Sequence, residues 1–490
     1  MDADVIVVGA GPTGLMLAGE LALAGVRVRV LERRDSPQRD SRALTLHPRS
    51  VEVLDQRGLA GAFLAVGKPV PGWHFAGLET RLDFAALDSS HGYTLFLAQA
   101  QTERLLAGWV HSLGVPVSRG TTVSGLAQDD DGVEVTADGT RLRARYVVGC
   151  DGGRSIVREA AGIEFPGTAE TLTGMLGDFA VIDGTILHRA APGGVLAVPL
   201  GDGITRFVTV DAQRMREPSS TPVTLEELRS ALVRSCGTDF GVAEPRWLSR
   251  FGNATRLAAR YRSGRVLLAG DAAHIHFPAA GQGLNTGLQD AANLGWKLAA
   301  QVHGWAPDGL LDSYHDERHP VGAAVTANTE VQTLLLELTQ VARYERPAAA
   351  LRALINDLLG IEAANRRIAG AVSGLDTRYG VSPEPLVGAR MPDIPLTTHT
   401  SVAESLRGGT FVLLGLTGDG PAENEVAGWA GRVTVAMASD DAHPALAGIT
   451  EILIRPDGHV AWISRNGQPG GDRPGALTAW AGKAATSIGV

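Results

Sequence analysis

The 490-residue chain holds only two cysteines, Cys150 and Cys236. That is too few for a disulfide framework or a four-cysteine zinc site, and two isolated thiols suit a reducing compartment. Long apolar runs are missing too: none approaches the ~20 residues that a membrane-spanning helix requires. Positive charge is in deficit, with 44 Lys and Arg against 53 Asp and Glu and a formal net charge of -9. A nucleic-acid or acidic-membrane partner needs a basic face, so neither is expected. The Gly-x-Ser-x-Gly elbow of a serine hydrolase does not occur. No basic-then-apolar leader precedes the first strand-like run, and a cytoplasmic location is the expectation. What remains is 44% hydrophobic, 20% charged and 5% aromatic, a composition that fits a globular protein with ample core. The length predicts two or three domains.

The most informative feature stands at the start. Val5 to Val8 read as a buried strand that runs directly into Gly9, Gly11, Pro12, Thr13 and Gly14 and then an apolar helix. In such a turn Gly9 permits the sharp bend, Gly11 lets the backbone approach a pyrophosphate, and Gly14 lets helix and strand pack closely. The helix N-terminus adds free N–H groups and a positive dipole end. Glu32, followed by Arg33, closes the next strand-like run about 20 residues on, where a carboxylate can accept hydrogen bonds from ribose hydroxyls. The pattern predicts a bound ADP-containing cofactor.

Two further clusters have the same strand–turn–helix form. Tyr146 to Gly149 lead into Asp151, Gly152 and Gly153, with Ser155 and Arg158 opening a helix. A helix cap by Asp151 or Ser155 accounts for part of this, but not for the arginine or the paired glycines. Arg265 to Ala269 lead into Gly270 and Asp271, and then Pro278, Gly281, Gly283, Leu284 and Asn285 start a second helix. Asp271 could accept from a ribityl hydroxyl, and N–H groups at the helix start could hold the electron-rich edge of an isoalloxazine. A capped helix after a core strand is the simpler alternative. His274 and His276 flank this cluster and read as structural or pocket-edge residues. His315 and His319 share a helix face, but Asp316 stands where a metalloprotease pattern needs Glu, so no metal site is assigned.

Taken together, the three motifs resemble the single-component FAD-dependent aromatic hydroxylases built like p-hydroxybenzoate hydroxylase. The resemblance spans about residues 4–320. It implies one FAD surrounded by all three motifs, with Arg42 near the flavin, Gln99 also in contact, and Val123 binding adenine through its backbone. Asp151 to Arg158 match the segment that the family links to both FAD and NADPH. One departure is visible: Ala280 stands where the family usually has glycine, and its methyl could restrict the loop. The segments Trp247–Thr255, Ala269–His276 and Leu311–Pro320 are similar to actinobacterial polyketide-tailoring hydroxylases and to rifampicin monooxygenases. Both groups end in a thioredoxin-like domain. The strand-like runs at Thr410–Gly415, Val433–Met437, Ile449–Ile454 and Val460–Ile463 fit one, without a Cys-x-x-Cys pair; such a domain cannot do thiol–disulfide chemistry and is expected to pack or to join subunits.

The expected fold is α/β: a Rossmann-like FAD-binding domain, an inserted β-sheet substrate domain and the C-terminal thioredoxin-like domain. The FAD-binding domain takes residues 1–72, 101–167 and 261–380, the last with long helices. Residues 73–100 and 168–260 form the substrate domain, with short β-like runs and Gly/Pro turns such as 193–200. The proline-rich stretch Gly380–Leu396 reads as a linker, and 397–490 as the last domain.

The resemblance implies NADPH-dependent hydroxylation of a polycyclic aromatic polyketide by O2, through a C4a-hydroperoxyflavin. The cofactor carries that chemistry, so no catalytic side chain is identifiable. Trp73, Phe75, Phe179 and Phe207 are candidate walls of the substrate space, each open to an ordinary core role. A rifamycin-type substrate or a Baeyer–Villiger oxygenation would use the same scaffold. A flavin halogenase is disfavoured, because the Trp-x-Trp-x-Ile-Pro segment is missing. A redox-silent FAD-binding scaffold is the non-enzymatic rival. A homodimer is the expected assembly if the chain self-associates.

Overall fold

The run from Ala3 to Val8 is almost wholly buried, as a strand must be when helices cover both faces of a parallel sheet. In the computed structural model it occupies the middle of the main sheet. The strand order is Arg262–Ser263, Val266–Leu268, Thr140–Gly149, Ala3–Val8, Val28–Glu32, Val117–Arg119. The pairings from Val266–Leu268 through Val117–Arg119 are parallel. An antiparallel meander, Val123–Gln128 and Val133–Ala137, extends from the long strand Thr140–Gly149. The structure describes all residues except 39, 181–194, 202, 398–399, 417–420, 422, 440–441, 466–471 and 486–490.

Helix Pro12–Leu23 lies against the 22-residue helix Gln282–His303 and against Gln99–Ser112. Glycine makes the first contact close: a Cβ at Gly295 would strike the Glu20 side chain. Three of the parallel strands end side by side, at Val8, Gly149 and Leu268. In open α/β sheets that carboxyl edge is where ligands bind.

The inserted sheet runs Leu196–Gly201, Ile204–Thr209, Thr173–Ala180, Trp247–Gly252, antiparallel throughout. Of the predicted run 193–200, residues 193 and 194 lie outside the described residues. Helix Leu225–Cys236 covers one face, capped by the Thr224 hydroxyl and closed by Gly237 in the left-handed region. Residues 73–100 do not join this sheet. They form short strands of their own, and Phe75, Leu82 and Phe84 pack on Leu335, Leu359 and Ala369 of the helices that follow Ser313.

Those helices, Ser313–Glu337, Glu345–Leu359 and Glu362–Ser373, are long helices within 261–380, as expected. The C-terminal sheet is ordered Val433–Met437, Phe411–Gly415, Ile449–Ile454, Val460–Arg465; the first pair is parallel, the others antiparallel. With helix Arg473–Ala481 behind it, this is the arrangement of a thioredoxin-like unit. The proline-rich stretch is not a free linker. Leu386, Met391 and Ile394 belong to the C-terminal core, and Gly388 and Met391 donate backbone hydrogen bonds to Val460 and Gly458. Its prolines break regular structure, but its apolar side chains still need burial. Among the described residues, no helix is long and apolar enough to cross a membrane.

Candidate active site at the carboxyl edge of the main sheet

The first glycine turn has the shape that its sequence requires. Gly9 has φ +103°, and a Cβ there would be driven into the Cys150 carbonyl; one on Gly14 would strike the Gly9 carbonyl. A Cβ on Gly11, by contrast, would meet nothing within 4 Å. Open space therefore lies in front of Gly11, where Pro12 at the first helical position leaves the N–H groups of Thr13 and Gly14 without intrahelical acceptors. Glu32 locks this turn: one carboxylate oxygen accepts from the Ala10 N–H at 2.7 Å, the other from Arg34 at 2.9 Å. Each oxygen keeps a lone pair for a hydroxyl. Arg33 is exposed beside it. Thr121 donates its N–H to the Glu32 carbonyl, which brings the segment before Val123 to the same edge.

The second motif abuts the first through Cys150 and Asp151. Both capping readings hold: Ser155 accepts from the Arg158 N–H at 3.0 Å, and Asp151 Oδ2 accepts from Val157 at 3.2 Å. Asp151 Oδ1 is buried without a protein partner, and burial pushes this carboxyl up. The Arg158 guanidinium, stacked over Phe165, donates to the carbonyls of Gly153 and Ala272. It staples the second motif to the third.

The third motif closes the ring. Side chains at Gly270 or Gly287 would collide with Thr13, so the Gly270-Asp271 turn sits against the first glycine turn. Asp271 and Pro278 are exposed, and Gly281, Gly283 and Leu284 are half-buried. Ala280 takes φ +51° and Gly281 φ +70° ahead of helix Gln282–His303. Asn285 spends its amide inside the protein, donating to the Thr45 and Gly281 carbonyls and accepting from the His47 N–H. His47 Nε2 donates to the Ala280 carbonyl at 2.7 Å, and burial holds this histidine down at about 4. Arg42 is exposed on a loop held from two sides. Gln99 exchanges hydrogen bonds with Ala43, and Arg206 of the inserted sheet donates to the Ser41 carbonyl.

The four aromatic candidates separate. Phe179 and Phe207 are fully buried beneath helix Leu225–Cys236, where Phe207 stacks on Phe240. They face away from the main sheet, contrary to the expectation that they wall a substrate. Phe75 is core between residues 73–100 and the later helices. Trp73 stays half-buried beside His47 and His74, its indole N–H buried without a partner. Residues not foreseen take the facing position. Phe251, on the opposite sheet face from Phe179, meets Phe277 at 5.5 Å between ring centroids. Leu172, Met215, Ala279 and Leu336 complete this apolar patch at the 277–281 turn. The alternation Asp178-Phe179 and Arg206-Phe207 carried that signal, since a buried Asp178–Arg206 pair marks the other face. A separate cavity of about 500 Å³, lined by Asp88, Arg366, Arg390 and His443 among others, contains none of the motif residues.

The convergence of an open glycine cradle, a ribose-height carboxylate and a second helix N-terminus fits a dinucleotide with one more ring system. Residues 2–329 match the family described as FAD binding domain, and residues 384–484 match the family described as aromatic-ring hydroxylase, C-terminal. The chain belongs to the FAD-dependent aromatic hydroxylases. Among these hydroxylases, a rifampicin monooxygenase of Streptomyces venezuelae is 48% identical, over 95% of this chain and 96% of its own. The solved structure of OxyS, an anhydrotetracycline hydroxylase from Streptomyces rimosus, superposes with a TM-score of 0.90 at 42% identity, covering 99% and 100% of the two chains. The dialkyldecalin synthase of Streptomyces rugosporus is also similar, 40% identical over 99% of this chain and 100% of its own. FAD is the family's cofactor, and the residues present fit it: a Cβ on Gly11 would meet nothing within 4 Å, and the Glu32 carboxylate holds the Ala10 N–H of the same turn.

Proposed function

We propose that this chain hydroxylates a polycyclic aromatic polyketide, with NADPH as reductant and O2 as the oxygen source. The observation that carries the reading is the open glycine cradle at Gly11 braced by Glu32, with the half-buried Phe251 and Leu336 near the turn at 277–281. The accessible parts of these apolar side chains suit a flat ring system. The names of the rifampicin and anhydrotetracycline relatives support the same class.

FAD, when bound, supplies the electron-transfer and oxygen-activating chemistry. The protein's own residues have narrower tasks. Gly9, Gly11, Pro12, Thr13 and Gly14 would hold the pyrophosphate, and Glu32 with Arg33 the adenosine ribose, with the Val123 backbone at adenine. Asp271 would accept from the ribityl chain, Arg42 would lie near it and the flavin, and Gln99 and Asp151 would contact FAD. The N–H groups of Gly283, Leu284 and Asn285, with Pro278 and Gly281 shaping their turn, would hold the ring system. Trp73 and the Phe251–Phe277 pair exclude water from the substrate ring. A cytoplasmic location and a homodimer belong to the same reading.

The dialkyldecalin synthase relative favours one second reading, in which FAD is structural and the chain shapes a ring closure without net redox. Purified holoprotein with NADPH, 18O2 and a panel of angucyclinones, anthracyclinones and rifamycin separates the two. One 18O atom in a product establishes oxygenation, and fragmentation tells hydroxylation from Baeyer–Villiger insertion. A flavin that NADPH leaves oxidised with every compound sinks the monooxygenase reading and favours the second.

A further inference from the structure

A single buried arginine reaches both arms of the third motif through two residues of the motif's helix, Asp290 and Thr286. Asp290, on helix Gln282–His303, is fully buried and divides its carboxylate between two duties. Its Oδ2 accepts from the Gly270 N–H at 3.0 Å and pairs with His274 at 2.7 Å, while Oδ1 accepts from Arg318 Nε at 2.7 Å. Burial would raise this carboxyl, but Arg318 and His274 outweigh it and hold it at about 2. Arg318 is itself fully buried. Its remaining groups donate to the Thr286 carbonyl at 3.2 Å, in the first turn after Gly281, and to the Tyr379 hydroxyl at 3.0 Å. One guanidinium thus fixes the Gly270-Asp271 turn through Asp290 and the helix start through Thr286.

The outer side of this arginine leads, through Tyr379, to the C-terminal domain. The Tyr379 ring lies 4.3 Å from His459 and 5.1 Å from the Arg455 guanidinium. Arg455 reaches both oxygens of Glu317, the residue next to Arg318, at 2.8 Å, and also pairs with Asp457. Arg455, Asp457 and His459 all belong to the turn between Ile449–Ile454 and Val460–Arg465. Arg49 of the FAD-binding domain donates to the Asp457 carbonyl, and Asn293 donates to its carboxylate. Such a set of buried charges is costly to desolvate and holds only in one geometry.

We propose that Arg318 is a positioning residue for the cofactor site and that the C-terminal turn 455–459 sets its place, so that docking of the C-terminal domain tightens FAD binding. The proposal rests on the reading of Gly270, Asp271 and the helix start as FAD contacts. It gives a thioredoxin-like unit without thiols a function toward the cofactor.

The test uses the full-length protein, stripped of flavin and titrated with FAD while flavin fluorescence quenching is followed, well below the melting temperature of each apoprotein. Arg318→Lys keeps the charge but cannot serve Asp290, Thr286 and Tyr379 together, and should raise the FAD Kd about tenfold. Tyr379→Phe and Asp457→Asn, which act through Arg318, should raise it ~3-fold. A purely architectural role would lower the apoprotein Tm and leave these constants unchanged; Kd values within twofold of wild type overturn the proposal. Asp271→Ala is the control for the contact itself. If it weakens FAD while Arg318→Lys and Tyr379→Phe do not, the site reading stands and the proposal fails. If Asp271→Ala also leaves binding intact, both fall. Should Arg318→Lys fail to fold, Tyr379→Phe decides, because it leaves every charge in place.

Discussion

Two turns border the proposed cofactor site, and they keep their shape by different means. The turn after the first strand is held by crowding of backbone on backbone: Gly9 lies against Cys150 and Gly14 against Gly9. The turn before the long helix is held by side-chain hydrogen bonds, from His47 and from the helix's own Asn285. His47 and Asn285 grip the carbonyls of Ala280 and Gly281, while Ala280 itself sits at φ +51°. For alanine that conformation costs roughly 1–2 kcal/mol. A crowded turn has one conformation, whereas a strained and braced turn can relax when its braces release. On the proposed site, the pyrophosphate end would be fixed and the ring end adjustable.

That contrast can be broken most severely at Gly14. Gly14→Ala drives a methyl into the Gly9 carbonyl, a backbone atom that cannot turn aside. We expect a loss of more than about 3 kcal/mol and protein purified without flavin, read from the Tm and the 450 nm absorbance. A variant that loads FAD normally would remove the distinction between the turns.

Acid should act on the braced turn. His47 and His74 are neutral in the fold, both held at about 4 by burial. In the unfolded chain each protonates near 6.5. Their stabilising contribution is complete above that value and is lost as pH falls from 6.5 through 4. Unfolding free energy should drop by about 3 kcal/mol between pH 6.5 and 5, and His47→Gln should flatten part of that slope. Denaturant titrations at four pH values measure it; an unchanged midpoint would show that neither histidine is buried as described.

The smallest effect belongs to Ala280→Gly. Relief of the strained φ is offset by a more flexible unfolded chain and a lost buried methyl, so stability should stay within about 1 kcal/mol of the parent. The amides of residues 279–283 should nevertheless exchange with deuterium faster. Equal exchange would mean that hydrogen bonds alone set the loop's freedom.

Much of this was legible in the sequence, because glycines at a strand-to-helix turn have few other uses. Gly9 to Gly14, Glu32, Gly270 and Asp271 lie where the three strands end together. The orientation of Phe179 and Phe207 was not legible. Strand alternation gives two faces without saying which one a helix will cover, and only the Asp178–Arg206 pairing fixes it. Asp290 and Arg318 were also hidden. Each looks like an ordinary charged helix residue until the fold brings their partners, far apart in the chain, to within 3.2 Å. The proline-rich stretch misled for a related reason: proline reports irregular backbone, not the packing of Leu386, Met391 and Ile394.

The parallel sheet is assembled from strands that synthesis delivers far apart in time. Ala3–Val8 leaves the ribosome early, Thr140–Gly149 pairs beside it much later, and Val266–Leu268 completes the edge later still. The helix that starts at Gln282 comes after all of them. An emerging chain therefore carries a nucleotide-binding turn long before it has the rest of a cradle. On the proposed site, FAD loading has to wait for the helix Gln282–His303, and a translation product truncated before residue 282 is expected to be an apoprotein however much flavin the cell contains.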